Sequence, residues 1–371
     1  MDIALPQSGL ALGHRGRAHR LVPDGAAVPP AASRRLGRGL PRGPRLARGL
    51  AAGDGGGMRT ETATAGTGGQ RSAARTRPAP TLAARWRWRW RPRLRRAAFE
   101  GVRGLFALAA RAAPDFVWLA AREARPVVRP LDWPGGGLCI HADSWIEYEK
   151  RARSCAKEPE TVAWIERHLR PGDVVYDIGA NVGAYSLVMG RILQGSGRVY
   201  AFEPGFPNFA QLCRNVALNG LADTVVPLQV ALSDRTGLGE LAYSSLDSGA
   251  ALHTLEGGRG RFRMPLLSYA LDELVERFGL EPPAHIKLDV DGIEHAVLLG
   301  ARRVLAHPRL RTLSVETEDG RPGAERIDAL LRAHGFVLAG ERVHDDDPFH
   351  PGPYVRNRVY VREGAPRSQE G

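Results

Sequence analysis

Cysteine is scarce in this chain. Only Cys139, Cys155 and Cys213 occur among 371 residues, and none has a C-x-x-C or Cys/His ligand spacing. Their scarcity argues against a disulfide framework and a structural zinc, and makes a reduced, cytoplasmic setting the expectation. No stretch reaches the roughly 18 uncharged apolar residues of a membrane-spanning helix. The opening Met1-Asp-Ile-Ala-Leu-Pro-Gln lacks a basic n-region and an apolar h-region, so no secretory signal is expected. No internal repeat is visible. The first hundred residues are also poor in acid, with 20 Arg against 5 Asp and Glu, while the rest of the chain holds 32 Lys and Arg against 35 acids. The net charge of +12 therefore belongs to the leader, and any attraction to nucleic acid or anionic lipid is confined to it.

Residues 1–95 are rich in Arg, Ala, Gly and Pro without helical or strand periodicity, and are expected to be disordered. Arg85-Trp-Arg-Trp-Arg-Trp-Arg91 alternates aromatic and guanidinium groups. Such a run suits a weak contact with an anionic membrane surface, or stacking on bases. A low-complexity accident is the simpler account, and no specific nucleic-acid partner is expected. Residues 96–137 form an amphipathic helical lead-in, broken at Pro114, whose ordinary role would be packing on the domain. A folded domain is expected over 138–363, with a disordered tail at 364–371.

That domain alternates strand and helix. Apolar runs predict strands at 174–178, 198–203, 225–232, 285–290 and 311–316, and a closing pair at 336–343 and 357–362. Helices are expected over 160–169, 184–193, 207–218, 293–306 and 324–334. Segments 240–244 and 262–267 read as an added β-excursion, followed by a short helix at 270–278. The fold class is α/β, a doubly wound, mostly parallel seven-stranded sheet.

Val174-Val-Tyr-Asp-Ile-Gly-Ala-Asn-Val-Gly-Ala-Tyr185 joins a buried strand to a helix through a glycine-rich turn. Gly179 and Gly183 allow close backbone approach, and the helix start favours an anionic group. Asp177 adds a carboxylate to the same place. A second strand-end acid, Glu203, follows 26 residues later, where ribose hydroxyls are bound in doubly wound folds. S-adenosylmethionine, which carries both a carboxylate and a cation, fits this pairing. A dinucleotide fingerprint needs G-x-G-x-x-G, and Asn181 replaces its middle glycine, so a nicotinamide-dependent oxidoreductase is disfavoured.

Five segments occur in order: Asp177-Ile-Gly-Ala-Asn-Val-Gly183, Ala201-Phe-Glu-Pro204 with Asn208, Cys213-Arg-Asn-Val-Ala-Leu-Asn219, Ala231-Leu-Ser-Asp234 and Ile286-Lys-Leu-Asp-Val-Asp-Gly-Ile-Glu294. Together they resemble the FkbM family of S-adenosylmethionine-dependent methyltransferases, over about residues 145–362. The resemblance implies a class I methyltransferase fold and O-methylation of a small-molecule or glycan hydroxyl. It also implies that Asp177 and Glu203 orient the amino-acid and ribose parts of the cofactor. Gly179, Ala180, Asn181, Gly183 and Pro204 would line its site, and Ala231 and Leu232 would pack its adenine.

Asp289 and Asp291 are two apart, so a regular strand would put both on one face beside the transferred methyl, where either could serve as base. No third clear ligand accompanies them, and no metal is expected. Glu294, Glu316 and His253 are candidates for the acceptor side, Glu294 doubling as a helix cap. The stretch 244–253 reads as a flexible loop able to close over the acceptor. N-methylation is an alternative, since an amine needs less base assistance. A reading of another class is a non-catalytic module with this fold, acting through its Arg/Trp leader.

Overall fold

The computed structural model describes residues 91–243, 245–250, 254–255, 262–318, 323–344 and 355–364. The leader through residue 90, the tail from 365 and His253 lie outside them. Seven strands form one sheet: β1 (Val174–Ile178), β2 (Arg198–Phe202), β3 (Val225–Leu228), β4 (His285–Leu288), β5 (Thr312–Glu318), β6 (Phe336–His344) and β7 (Val355–Arg362). Their order is β6-β7-β5-β4-β1-β2-β3. The first five are parallel, and β7 runs antiparallel between β5 and β6. The doubly wound, mostly parallel sheet expected from the sequence is present.

Strand alternation decides which face each side chain covers. Val175, Val199 and Ala201 pack on α1 (Pro159–His168), α2 (Ala184–Ile192) and α3 (Phe206–Leu218), through Trp164, Ile165, Leu187, Val188 and Leu212. Val174, Tyr176, Ile178, Ile286 and Leu288 face the opposite layer. That layer is α4 (Leu271–Phe278), α5 (Glu294–Leu299), α6 (Arg302–Ala306) and α7 (Ala324–Ala333), meeting the sheet through Leu271, Leu298, Leu305 and Leu331. Both faces of the central strands are therefore buried, which is why they read as continuous apolar runs.

Three boundaries depart from the sequence reading. The third strand leaves the main sheet at Leu228, and Ala231–Ser233 joins a separate four-stranded sheet beside Phe262–Ala270. The fourth strand ends at Leu288 rather than at residue 290. The helix expected over 293–306 is two helices, α5 and α6, separated at Gly300. A Cβ there would sit 2.2 Å from the Ser233 carbonyl oxygen, so the second sheet presses on the backbone at the break.

The lead-in helix Arg91–Ala109 starts within the segment expected to be disordered, and a second helix, Asp115–Ala124, follows Pro114. Phe99 stacks near Trp145 with centroids 4.7 Å apart, and Arg95 bonds Glu149 at 3.0 Å. Leu105, Phe106, Leu108, Phe116 and Leu119 are exposed, so packing against the domain is confined to the first half of this lead-in. Among the described residues no helix is long and apolar enough to cross a membrane.

Candidate active site

Two adjoining clefts open at the carboxyl ends of β1, β2, β4 and β5, where ligands bind in open α/β sheets. The first, about 760 Å³ and open to solvent, has apolar walls from Ile178, Phe202, Val230, Leu232 and Leu241 and a polar end at Glu203. The second, about 560 Å³, is lined by charge: Lys157, Glu158, Lys287, Asp289 and Glu316. Arg151, Gly179, Asn181, Asp289 and Asp291 border both.

The turn after β1 makes the first cleft possible. Gly179 has φ +82°, and a Cβ on it would lie 1.8 Å from the Asp289 carbonyl oxygen. Any side chain there would push β1 and β4 apart. Asn181 is also left-handed, with φ 49°. Its Oδ1 accepts from the Val182 amide at 2.9 Å and its Nδ2 donates to the Ala250 carbonyl at 2.9 Å. The Glu203 oxygens accept from the Asn181 and Gly205 amides, each at 2.8 Å. Burial outweighs these bonds and pushes the Glu203 carboxyl up to about 7. Pro204 and Ala231 complete this wall, and Ala180 lines the second cleft.

Several sequence expectations need correction. Asp177 is fully buried and lines neither cleft: it sits on the α2 side of β1, where Oδ2 accepts from Ser186 Oγ at 2.5 Å and Oδ1 faces Lys287 Nζ at 3.6 Å. Gly183 also lies away from both clefts, as the left-handed cap of α2, where a Cβ would meet Leu212 at 2.5 Å. Asp289 and Asp291 do not share a strand face, because the strand has ended and Asp291 is left-handed at φ 55°. Both still border the clefts. Glu294 lines neither cleft and accepts from the Val290 and Gly292 amides at 3.3 and 2.9 Å, so it holds the turn before α5 and does not cap the helix. The described part of the 244–253 loop is tied down. Ser144 Oγ bonds the Ser248 carbonyl, Arg151 Nε the Gly249 carbonyl, and Asn181 and Asn208 the Ala250 carbonyl, at 2.7 to 3.1 Å.

The charge cluster follows from register. Lys287 is opposite Asp177 across β4 and β1, and alternation carries Asp289 and Glu316 to the same face. Lys287 Nζ lies 3.2 Å from Asp289 Oδ2 and 5.3 Å from the Tyr185 ring centroid. Burial alone would lower the lysine, but Asp289 and Asp177 outweigh it and hold it charged. Burial likewise opposes ionisation of Asp289, yet Lys287 and Lys157 keep it below the usual carboxylate range. Glu158 and its partner Lys157, 2.7 Å apart, enter from the segment before α1. Carboxylate oxygens of Glu158, Asp289 and Glu316 lie within 4.8 Å of one another. The local sequence of Glu158, just before Pro159, suits a helix start, and no periodicity could aim it into the cleft. Glu158 and Glu316, not Asp291, are the acids gathered with Asp289, and two ammonium groups lie beside them.

The sequence profile of the methyltransferase FkbM domain matches residues 177–338. The chain is 30% identical over 271 residues to the 31-O-demethyl-FK506 methyltransferase FkbM of Streptomyces tacrolimicus, covering 64% of this chain and 98% of that protein. It is 28% identical to the hexuronic acid methyltransferase AglP of Haloferax volcanii, over 43% of this chain and 63% of AglP. The methyltransferase sdnD of Sordaria araneosa is also 28% identical, over 45% of this chain and 75% of sdnD. With nearly the whole of the Streptomyces protein matched by this domain, the chain belongs to the FkbM family of methyltransferases.

Proposed function

We propose that this methyltransferase moves a methyl group from S-adenosylmethionine to a hydroxyl of a small molecule or glycan. The observation that carries this reading is the pairing of clefts: an apolar slot ended by Glu203 shares a wall with a charged pocket. The donor set fits a nucleoside. Glu203 is a buried strand-end acid whose oxygens each accept one amide, leaving acceptor capacity for ribose hydroxyls. Ala231 and Leu232 offer a flat apolar wall for adenine. Gly179, Ala180 and Asn181 border the passage toward the second cleft, where the methionine end would lie. Asp177 and Gly183 act indirectly, by fixing Lys287 and the start of α2.

S-adenosylmethionine, when bound, supplies an activated methyl and a good leaving group. The protein's part is to align the acceptor oxygen, exclude water and hold charge. Asp289, fixed by Lys287, would orient the acceptor at the shared wall, with Asp291 beside it. The names of the Streptomyces and Haloferax relatives, one acting on a demethylated oxygen of FK506 and one on a hexuronic acid, support a hydroxylated acceptor.

The test is calorimetric titration of the full chain with S-adenosylmethionine and S-adenosylhomocysteine, then transfer of labelled methyl to a panel of hydroxylated sugars and metabolites. Micromolar binding and label on oxygen are expected. A folded protein that binds neither ligand would remove the reading.

A further inference from the structure

The three acids gathered in the charged cleft, Glu158, Asp289 and Glu316, are not equivalent. Asp289 has Lys287 Nζ at 3.2 Å, and Glu158 has Lys157 Nζ at 2.7 Å. Among the described residues no cation lies within ion-pair distance of Glu316, and the Glu158 and Asp289 carboxylates stand within 4.8 Å of it. It stands at the carboxyl end of β5, across the cleft from α2. Resting on the methyl-transfer reading above, we propose that Glu316 takes the acceptor's hydroxyl proton, and that it ionises only when the sulfonium of the methyl donor enters the wall shared by the two clefts.

Charge counting supports this assignment. Two ammonium groups already answer Glu158, Asp289 and, through Lys287, the buried Asp177, and Glu316 is the acid that keeps its proton in the free protein. Burial and the Asp289 and Glu158 charges push Glu316 well above the usual carboxyl range, against the opposing pull of Lys157 and Lys287. Arg151 and Asp291 border the same cleft, and Tyr185 stays a neutral phenol there, raised by burial and by Glu158. A sulfonium brings a further fixed positive charge, and Glu316, with no ion-pair partner of its own, is placed to answer it. In the transfer itself the acceptor oxygen bonds to the methyl carbon while the carbon–sulfur bond breaks, its electron pair going to sulfur. The hydroxyl proton passes to a Glu316 carboxylate oxygen, which keeps it beside the thioether product and gives it up to water when the next sulfonium enters. A base that appears only with the donor bound would spare the empty cleft a buried, unpaired charge.

The test needs no acceptor. The full chain is titrated with S-adenosylmethionine and with S-adenosylhomocysteine near neutral pH, in buffers of different ionisation enthalpy. Both ligands carry the ribose, so any proton lost from Glu203 is common to both. The sulfonium ligand alone should release an additional fraction of a proton. Its affinity relative to the thioether should rise with pH, by up to about tenfold per unit where a whole proton is released. Glu316→Gln should abolish that excess while still binding S-adenosylmethionine. Infrared difference spectra of the unaltered protein give an independent reading: S-adenosylmethionine should remove a protonated-carboxyl band that S-adenosylhomocysteine leaves in place. Equal release for the two ligands, an excess that survives in Glu316→Gln, or no lost band would each overturn the assignment while leaving the donor reading intact. Binding of neither ligand would remove both.

Discussion

Two buried polar clusters occupy the same face of the same three strands, one at each end. At the amino ends, His285 of β4 bonds Thr312 of β5 at 2.7 Å and lies 3.3 Å from Asp173, which precedes β1. Trp164 of α1 donates to Thr312 at 3.0 Å, and Arg311 bonds Asp173 at 2.5 Å. At the carboxyl ends stand Asp177, Lys287, Asp289 and Glu316. Acids and a base occur in both, only a few residues apart along each strand. Helix α1 lies over the amino-end cluster, and each of its polar groups has a partner. The carboxyl-end cluster opens to a cleft and gathers more acids than bases. In a parallel sheet the loops that follow the strands diverge at the carboxyl end and leave room for a ligand. The comparison therefore separates a buried network that serves stability from one arranged for chemistry.

The largest effect should come from Lys287→Met. It strands the fully buried Asp177 without its counter-charge and should destabilise the fold by about 3–5 kcal/mol, read from urea unfolding. A loss under about 1 kcal/mol would mean the pair behaves like a surface one, and the contrast with the amino-end cluster would need redrawing. Asp173→Asn should cost about 1.5–3 kcal/mol, the range for hydrogen bonds to charged groups, and leave S-adenosylmethionine affinity unchanged. An equal loss of affinity would break the separation. Glu203→Ala should weaken S-adenosylmethionine binding by about ten- to hundredfold, from the same range of bond strengths, as measured by calorimetry.

The smallest effect concerns pH. Burial lowers the His285 imidazole against the pull of Asp173. Because its folded value lies below the unfolded value of about 6.5, its contribution to stability is present above that pH and is lost as the pH falls below it. Asp173, held to about 2 by His285 and the Arg170 amide against the effect of burial, loses its contribution only in stronger acid. Imidazole nitrogen NMR should show His285 titrating below the ordinary value of about 6.5. A titration centred at or above the ordinary value would show that the amino-end cluster is open to water after all.

The sheet was legible because its central strands are buried on both faces and so are written in Val, Ile, Tyr and Leu. Long helices such as α3 and α7 announced themselves by apolar spacing. Breaks made by distant segments were not legible. Gly300 is pressed by Ser233, and Leu228 is followed by a turn into another sheet; neither has a local signal. At the site, Gly179, Asn181 and Glu203 could be placed from the turn and the strand end alone. The orientation of Asp177 could not, because it depends on pairing with Lys287, more than a hundred residues later. The same-face argument for Asp289 and Asp291 failed where the strand stopped. Glu158 escaped because its place in the cleft is set by how α1 packs, while its local sequence reads only as a helix start.

Residues 248–250 have one further consequence. Ser144, Arg151, Asn181 and Asn208 already hold their carbonyls. A ligand entering the first cleft beside Ala250 meets a wall whose backbone freedom was surrendered on folding, so little conformational entropy remains to be lost there on association. Discrimination between ligands along this wall would then depend on the fit of the molecule to a shape already set.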